Sequence, residues 1–332
     1  MEKIQSVINL KNKSTYIVAE IGINHNGDIE LAKKMIDAAK KAGADAVKFQ
    51  NFRPDEIFAK ENLELYNLVN KWALNKKDLS QLKNYAIKTK IEFFSTPFGK
   101  DGVKNLEELK VKAIKIASSD LDNFQLLDDC IKVKIPLIIS TGMSTVGEIF
   151  ETVEYLKEKK AQFMLLHCIS CYPTIKKDAN LTTIRYLKEI FQEPIGYSDH
   201  TLGIEACVAA VTLGAKMVEK HFTIDNNLEG PDQKISSNPI EFKKMVKGIR
   251  SVEKLLGEHR TNIYDCEIPF RNNMRKSVHA KKNLKKGERI TKSMLTLVRP
   301  KKDIPPKMLD NITGMKVKRN IKKGSPITWL DF

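Results

Sequence analysis

The chain has 332 residues, 42% of them hydrophobic and 30% charged, a composition that fits a soluble globular protein and excludes a disordered or fibrous one. No apolar run approaches the roughly 18 residues needed to span a bilayer, which excludes a helical membrane anchor. The net charge of +16 is uneven: residues 271–332 hold 18 basic and 4 acidic side chains, whereas the first 270 hold 39 and 37.

The opening segment, MEKIQSVINLKNKS, lacks a signal peptide's apolar core, so a cytoplasmic location is expected. Eight short apolar runs then follow in order, each ending in a polar cluster: IVAEIGIN, AVKFQNF, EFFSTPF, AIKIASS, PLIISTG, FMLLHC, PIGYSDH and MVEKHFT. They are rich in Val, Ile and Phe, as strands buried on both faces are. Helix-patterned segments alternate with them, beginning with IELAKKMIDAAKKAG and ending with IEFKKMVKGIRSVEKLLG. A longer insertion, residues 53–75, follows the second run and is a candidate lid or substrate loop. Eight strand–helix units predict an α/β fold, a (β/α)8 TIM barrel, whose strand C-termini share one face and carry the site.

Residues 1–262 are therefore read as a TIM-barrel catalytic domain and 263–274 as a linker. Residues 275–332 form a small, mostly β module, with short units and turn signals. Two similar phrases there, NLKKGE from residue 283 and NIKKGS from residue 320, suggest a pseudo-repeat. So small a module has a thin core and is expected to lean on another surface. Its basic charge raises nucleic acid as a partner, but its one aromatic pair, Trp329 and Phe332, lies at the extreme end. No nucleic-acid or membrane partner is expected.

Candidate chemistry clusters at strand ends. His200 and His221 close the seventh and eighth runs, within reach of one divalent metal; two ligands leave the open positions that catalysis uses. Lys48 and Lys115 lie inside apolar strands, where a charge needs a partner. They either close interior salt bridges, for instance with Glu20, or line an anion pocket with the strand-end hydroxyls of Ser95, Thr96, Ser118, Ser140 and Thr141. Phosphoenolpyruvate carries the phosphate and carboxylate such a pocket would take. Glu20 and Asp232 are the carboxylates best placed for a polyol; a loop Asp is also a common turn former. Five scattered cysteines read as reduced thiols, and Cys168 and Cys171 form a lone C-x-x-C with no second pair to complete a zinc site.

The ordered motifs EIGINHNG, STPF, KIASSD, STGM, YSDHT, EKHFT and GPD together resemble the bacterial sialic acid synthase family, which includes legionaminic and pseudaminic acid synthases. The C-terminal segment is similar to that family's antifreeze-like (SAF) domain. The resemblance implies condensation of phosphoenolpyruvate with an N-acetylated hexosamine to a nine-carbon 2-keto acid and phosphate, by a domain-swapped homodimer that uses a divalent metal, Mn²⁺ first, with Mg²⁺ or Co²⁺ as alternatives. It implies that His200 and His221 hold the metal. Lys48, Thr96, Lys115, Ser118, Ser140, Tyr172 and Ser198 would cradle phosphoenolpyruvate. Glu20 and Asp232 would bind the open-chain sugar, and Arg299 would reach the acetamido group from the partner. Glu20, Asp120 and His221 are the implied catalytic residues. Asp120 stands where many bacterial members carry Glu. Ser170, a substrate-binding position, stands where sialic acid synthases proper usually show Asn and the legionaminic and pseudaminic enzymes show Thr or Ser. The sugar is thus N-acetylmannosamine or a 2,4-diacetamido-trideoxyhexose; the Gly-Pro-Asp loop weighs against the pseudaminic branch. Another phosphoenolpyruvate-condensing barrel synthase is the remaining alternative.

Overall fold

The computed structural model describes residues 14–332, apart from 60, 62 and 259; the first 13 residues of the expected barrel domain lie outside the described residues. The described chain divides into two compact units, Met1–Gly257 and Glu258–Phe332.

In the first unit, eight parallel strands close a barrel in sequence order. They are β1 (Tyr16–Gly22), β2 (Ala46–Asn51), β3 (Glu92–Pro97), β4 (Ile114–Ile116), β5 (Leu137–Ser140), β6 (Phe163–Cys168), β7 (Ile195–Asp199) and β8 (Met217–His221). Each expected run contains one strand. The fourth is cut to three residues because the chain turns into a 3-10 helix at Ser118–Asp120.

Successive strand residues face opposite sides. The outward set, including Ile17, Val47, Phe49, Ile114, Leu165 and Val218, packs on the surrounding helices as one core. The inward set changes character along the strand. Val18, Ala46, Phe94, Ala113, Ile138, Leu166 and Met217 belong to an apolar plug inside the barrel. Two residues further on, the same inward face presents Glu20, Lys48, Thr96, Lys115, Ser140, Cys168 and Glu219, all buried. A period of two thus puts the polar layer directly above the plug, at the strand C-termini.

The helices begin and stop on local signals. Helix α1 (Ile29–Ala42) is capped by Asp28, whose Oδ1 accepts from the Glu30 and Leu31 amides, and stops at Gly43, in the left-handed region at φ 98°. The insertion after β2, read from sequence as a loop, contains two short helices, α2 (Pro54–Ile57) and α3 (Leu63–Asn70). The following helices are α4 (Lys76–Thr89), α5 (Lys100–Glu108), α6 (Phe124–Lys132), α7 (Val146–Glu158), α8 (Thr183–Phe191), α9 (Glu205–Thr212) and α10 (Pro239–Leu256). Among the described residues no helix is long and apolar enough to cross a membrane.

In the second unit, the segment read as a linker carries helix α11 (Ile268–Met274). Strands β9 (Ser277–Ala280) and β10 (Leu295–Val298) pair antiparallel over a small core that includes Val278, Leu284, Ile290, Ile304, Ile312 and Ile327. A short helix α12 (Leu309–Ile312) also packs there. The pseudo-repeat has a physical counterpart. Leu284 and Ile321 bridge each other, the Lys286 amide donates to Asn320 Oδ1, and the Lys323 amide donates to Asn283 Oδ1, both at 2.8 Å.

Candidate active site

A cavity of about 350 Å³ opens at the C-terminal ends of the strands. Glu20, Lys48, Thr96, Lys115, Ser118, Ser140, Ser170, Tyr172, Ser198, His200, His221 and Asp232 all line it. Twelve of the fourteen site residues expected from sequence are thus brought together from all eight strands and their loops.

Its floor is an ion cluster. Lys48 Nζ lies 2.9 Å from Glu219 Oε1 and 3.4 Å from Glu20 Oε2. Lys115 Nζ is 3.9 Å from the same Glu219 oxygen and donates to Ser140 Oγ at 2.6 Å and to the Ile116 carbonyl at 2.9 Å. Ser198 Oγ also donates to Glu219 Oε1, at 3.1 Å. Both readings of the lysines are therefore present: an interior salt bridge and a cationic wall of one cavity. Glu219, which links the two lysines, was not singled out from sequence. The signal was available, because it is a charge inside the apolar run MVEKHFT, two residues from His221 and so on its face of the strand.

Burial pushes Glu20 up to about 7, against the pull of Lys48. Burial works on Glu219 in the same direction, but Lys115 and Lys48 together outweigh it and hold its carboxyl at about 2. Burial lowers Lys115 to about 8 despite Glu219. For Lys48 burial is outweighed by Glu20 and Glu219, and its ammonium is held above the usual lysine range. At neutral pH the floor carries two cations, one full anion and a partly protonated Glu20. The surplus is positive, and it suits an anion.

The opposite wall is built from histidines. The rings of His200 and His221 are 5.4 Å apart, and Tyr172 lies 4.1 Å from His200 and edge-on to His221. His200 Nδ1 is 2.7 Å from the Ile169 carbonyl, which fixes the ring with Nε2 on the other side. His221 is held well below the usual histidine range, first by burial and then by His200 and Lys48, so its imidazole is neutral. Its Nδ1 is buried with no hydrogen-bond partner among the described residues, 3.7 Å from Asp232 Oδ2. A neutral imidazole with an orphaned nitrogen, beside a second ring held by its backbone bond, fits a divalent cation. Among the described residues no group of three or more His, Cys, Asp or Glu could hold a metal.

Above the floor, the Gly142 amide donates to Ser118 Oγ at 3.0 Å. A Cβ on Gly142 would lie 2.3 Å from Ser170 Oγ and 2.8 Å from Ser118 Oγ, so this wall requires glycine.

Two expected site residues stand elsewhere. Asp120 does not line the cavity. Its carboxylate accepts from Asn123 Nδ2 at 2.9 Å and from Ser119 Oγ at 3.1 Å, and Asn123 in turn caps α6. One methylene shorter than Glu, it is satisfied within its own turn. Arg299 lies in the second unit, exposed just past β10.

Comparison with known proteins shows the chain's family. Residues 35–261 match the model of the NeuB family and residues 275–332 that of the SAF domain. The chain is 39% identical to the N,N'-diacetyllegionaminic acid synthase of Legionella pneumophila, covering 95% of this chain and 93% of that one. It is 36% identical to the pseudaminic acid synthase of Campylobacter jejuni, covering 97% of each. A crystal structure of the N-acetylneuraminic acid (sialic acid) synthetase of Leptospira borgpetersenii, in complex with citrate, superposes with a TM-score of 0.75 at 41% identity, over 79% of this chain and 92% of that one. With its closed barrel, its cationic cavity floor and its C-terminal SAF domain, this chain belongs to the NeuB family of sialic acid synthases.

Proposed function

We propose that the chain condenses phosphoenolpyruvate with an N-acetylated hexosamine, giving a nine-carbon 2-keto acid and phosphate. The observation that carries this is the division of one cavity: two buried lysines joined through Glu219 on its floor, and two histidines on the facing wall. The floor takes the phosphate and carboxylate of phosphoenolpyruvate. Lys48 and Lys115 bind them as cations, and the hydroxyls of Thr96, Ser118, Ser140 and Ser198 add donors that fix the orientation. Ser170 and Tyr172 complete the wall on which the two substrates meet. Glu20 and Asp232 receive the sugar hydroxyls from opposite sides.

His200 and His221 would hold a divalent ion, Mn²⁺ being the first choice. When bound, such an ion polarises a carbonyl and lowers the pKa of water. The residues of the chain do the rest. The lysines hold phosphoenolpyruvate with its C3 toward the sugar's C1, so that a carbon–carbon bond forms there as the aldehyde becomes a hydroxyl. Positive charge develops at C2 of phosphoenolpyruvate, where water adds before phosphate leaves. Glu20, held near neutrality, can give up or accept a proton at its carboxyl in that sequence.

The sugar is read as unphosphorylated. In the barrel unit Arg53 is paired with Asp101 at 2.6 Å, and Arg250 is engaged by Glu253 and Asp45, so neither is free to receive a sugar phosphate. The relatives' names divide between the two sugars, and Ser170 favours a 2,4-diacetamido-trideoxyhexose over N-acetylmannosamine. The acetamido group is assigned to Arg299, delivered by the SAF domain of a second chain in a swapped homodimer. A reaction that consumes phosphoenolpyruvate belongs in the cytoplasm. The test is phosphate release from phosphoenolpyruvate with a panel of free hexoses, with and without Mn²⁺. Release is expected only with an N-acetylated hexose and metal together; no release with any of them would overturn the reading.

A further inference from the structure

Asp232 sits on a loop between β8 and α10, where a carboxylate would ordinarily be mobile. The segment behind it is not a free loop. Gln233 is fully buried and uses its whole amide: Nε2 donates to the Asn24 carbonyl at 2.7 Å and to the Glu229 carbonyl at 3.4 Å, while Oε1 accepts from Thr223 Oγ1 at 2.5 Å. Ser236 Oγ donates to the carbonyl of Asp232 itself at 2.6 Å and accepts from Asn24 Nδ2 at 2.8 Å. Asn24, also fully buried, spends its other amide proton on the Phe222 carbonyl. Asn226 Nδ2 holds the carbonyls of Gln233 and Ser236 at 2.9 and 2.7 Å.

This network joins the loop after β1 to both flanks of Asp232. Asn26 extends it, donating to the Glu229 carbonyl at 2.7 Å. It is also imperfect, because Asn24 Oδ1 is buried with no hydrogen-bond partner among the described residues. A buried acceptor left without a partner is destabilising. An apolar filling would avoid that loss, so the polar network is retained for what it holds in place.

We propose that Gln233, braced by Asn24 and Ser236, is the positioning residue that sets the Asp232 carboxylate against the sugar side of the cavity. The network touches the Asp232 loop and the loop after β1, and none of its members hydrogen-bonds to Lys48, Lys115 or their hydroxyl neighbours. Its effect is therefore confined to one substrate. The inference rests on the reading of Asp232 as a sugar-binding group.

The experiment uses the full chain with Gln233→Leu, Ser236→Ala and Asp232→Ala. Gln233→Leu removes the three hydrogen bonds of its side-chain amide and keeps its bulk; Ser236→Ala removes only the brace and keeps the fold if the first variant does not. The sugar KM is expected to rise roughly ten- to a hundredfold in Gln233→Leu, less in Ser236→Ala, with the phosphoenolpyruvate KM nearly unchanged. Combining Asp232→Ala with Gln233→Leu should add little to the larger single effect. Amide exchange of residues 229–236, read without any substrate, should speed up in both network variants. An equal rise in both KM values, additive mutants, or unchanged exchange overturns the proposal. Faster exchange with a sugar KM that Asp232→Ala leaves untouched would instead sink the sugar reading of Asp232 while upholding Gln233 as the residue that orders its loop.

Discussion

At the residue scale, the sharing of one Glu219 oxygen between two lysines has a consequence for pH. Lys115 is an ammonium only below about 8, where burial has brought it. An anion bound beside it favours the charged form, so affinity is full below that value and is lost above it. The phosphoenolpyruvate KM should rise about tenfold per pH unit on the alkaline side. Lys115→Arg should abolish that limb, because a guanidinium stays charged beyond pH 12 or so. Glu219→Gln tests the shared counter-ion. It leaves Lys48 and Lys115 to repel each other across the floor, so the alkaline limb should move to lower pH. A limb that stays in place in the Gln variant would show that Glu219 does not hold the lysines charged. The same three residues show what a sequence makes legible. Lys48 and Lys115 stood out as charges in apolar runs, whereas Glu219 lay inside a run read for its histidine. Asp120 marks the opposite limit, since only the turn geometry reveals that Asn123 has taken its carboxylate.

At the element scale, β7 and β8 carry the two histidines inward and a second, hidden ion pair outward. Lys220 Nζ is 2.6 Å from Asp199 Oδ2, and both side chains are almost wholly buried among the helices. Tyr197 OH, the Thr201 amide and Cys207 Sγ also donate to Asp199. The pair locks the register of the two strands one residue away from His200 and His221. Lys220→Met should destabilise by about 3–5 kcal/mol, because Asp199 stays buried without its cation. For a unit of this size that is a drop of about 10 °C or more in Tm. Adding Asp199→Asn should recover much of the loss, and thermal unfolding of the three variants decides it. An equal or larger drop in the double variant would mean that the pair acts only through packing. Strand periodicity made the eight strands and their inward faces readable from sequence. It did not reveal the helices α2 and α3 of the insertion, which lack a long apolar stripe, nor helix α11, whose seven residues were read as linker.

At the scale of the whole molecule, the open question is which chain supplies Arg299. The first unit has its own closed barrel and core, and the second has its own small core. The barrel cavity itself contains no arginine. A swapped homodimer makes a prediction that a self-sufficient chain does not. In a swapped homodimer, Arg299→Ala would damage the reach of one chain into the other, and His221→Ala would damage the barrel in which it resides. Each variant alone should be nearly inactive. When the two are mixed and allowed to exchange subunits, the mixed dimer regains one complete site: the barrel of the Arg299→Ala chain receives Arg299 from the His221→Ala chain. Random exchange gives mixed dimers in half the population, each with one working site of two, so about a quarter of the native activity should return. If Arg299 instead served its own barrel, every chain in the mixture would carry one lesion in its own site and no activity could return. Turnover measured before and after exchange, with the fraction of mixed dimers counted by mass, therefore separates the swapped site from the self-contained one without any structure of the dimer.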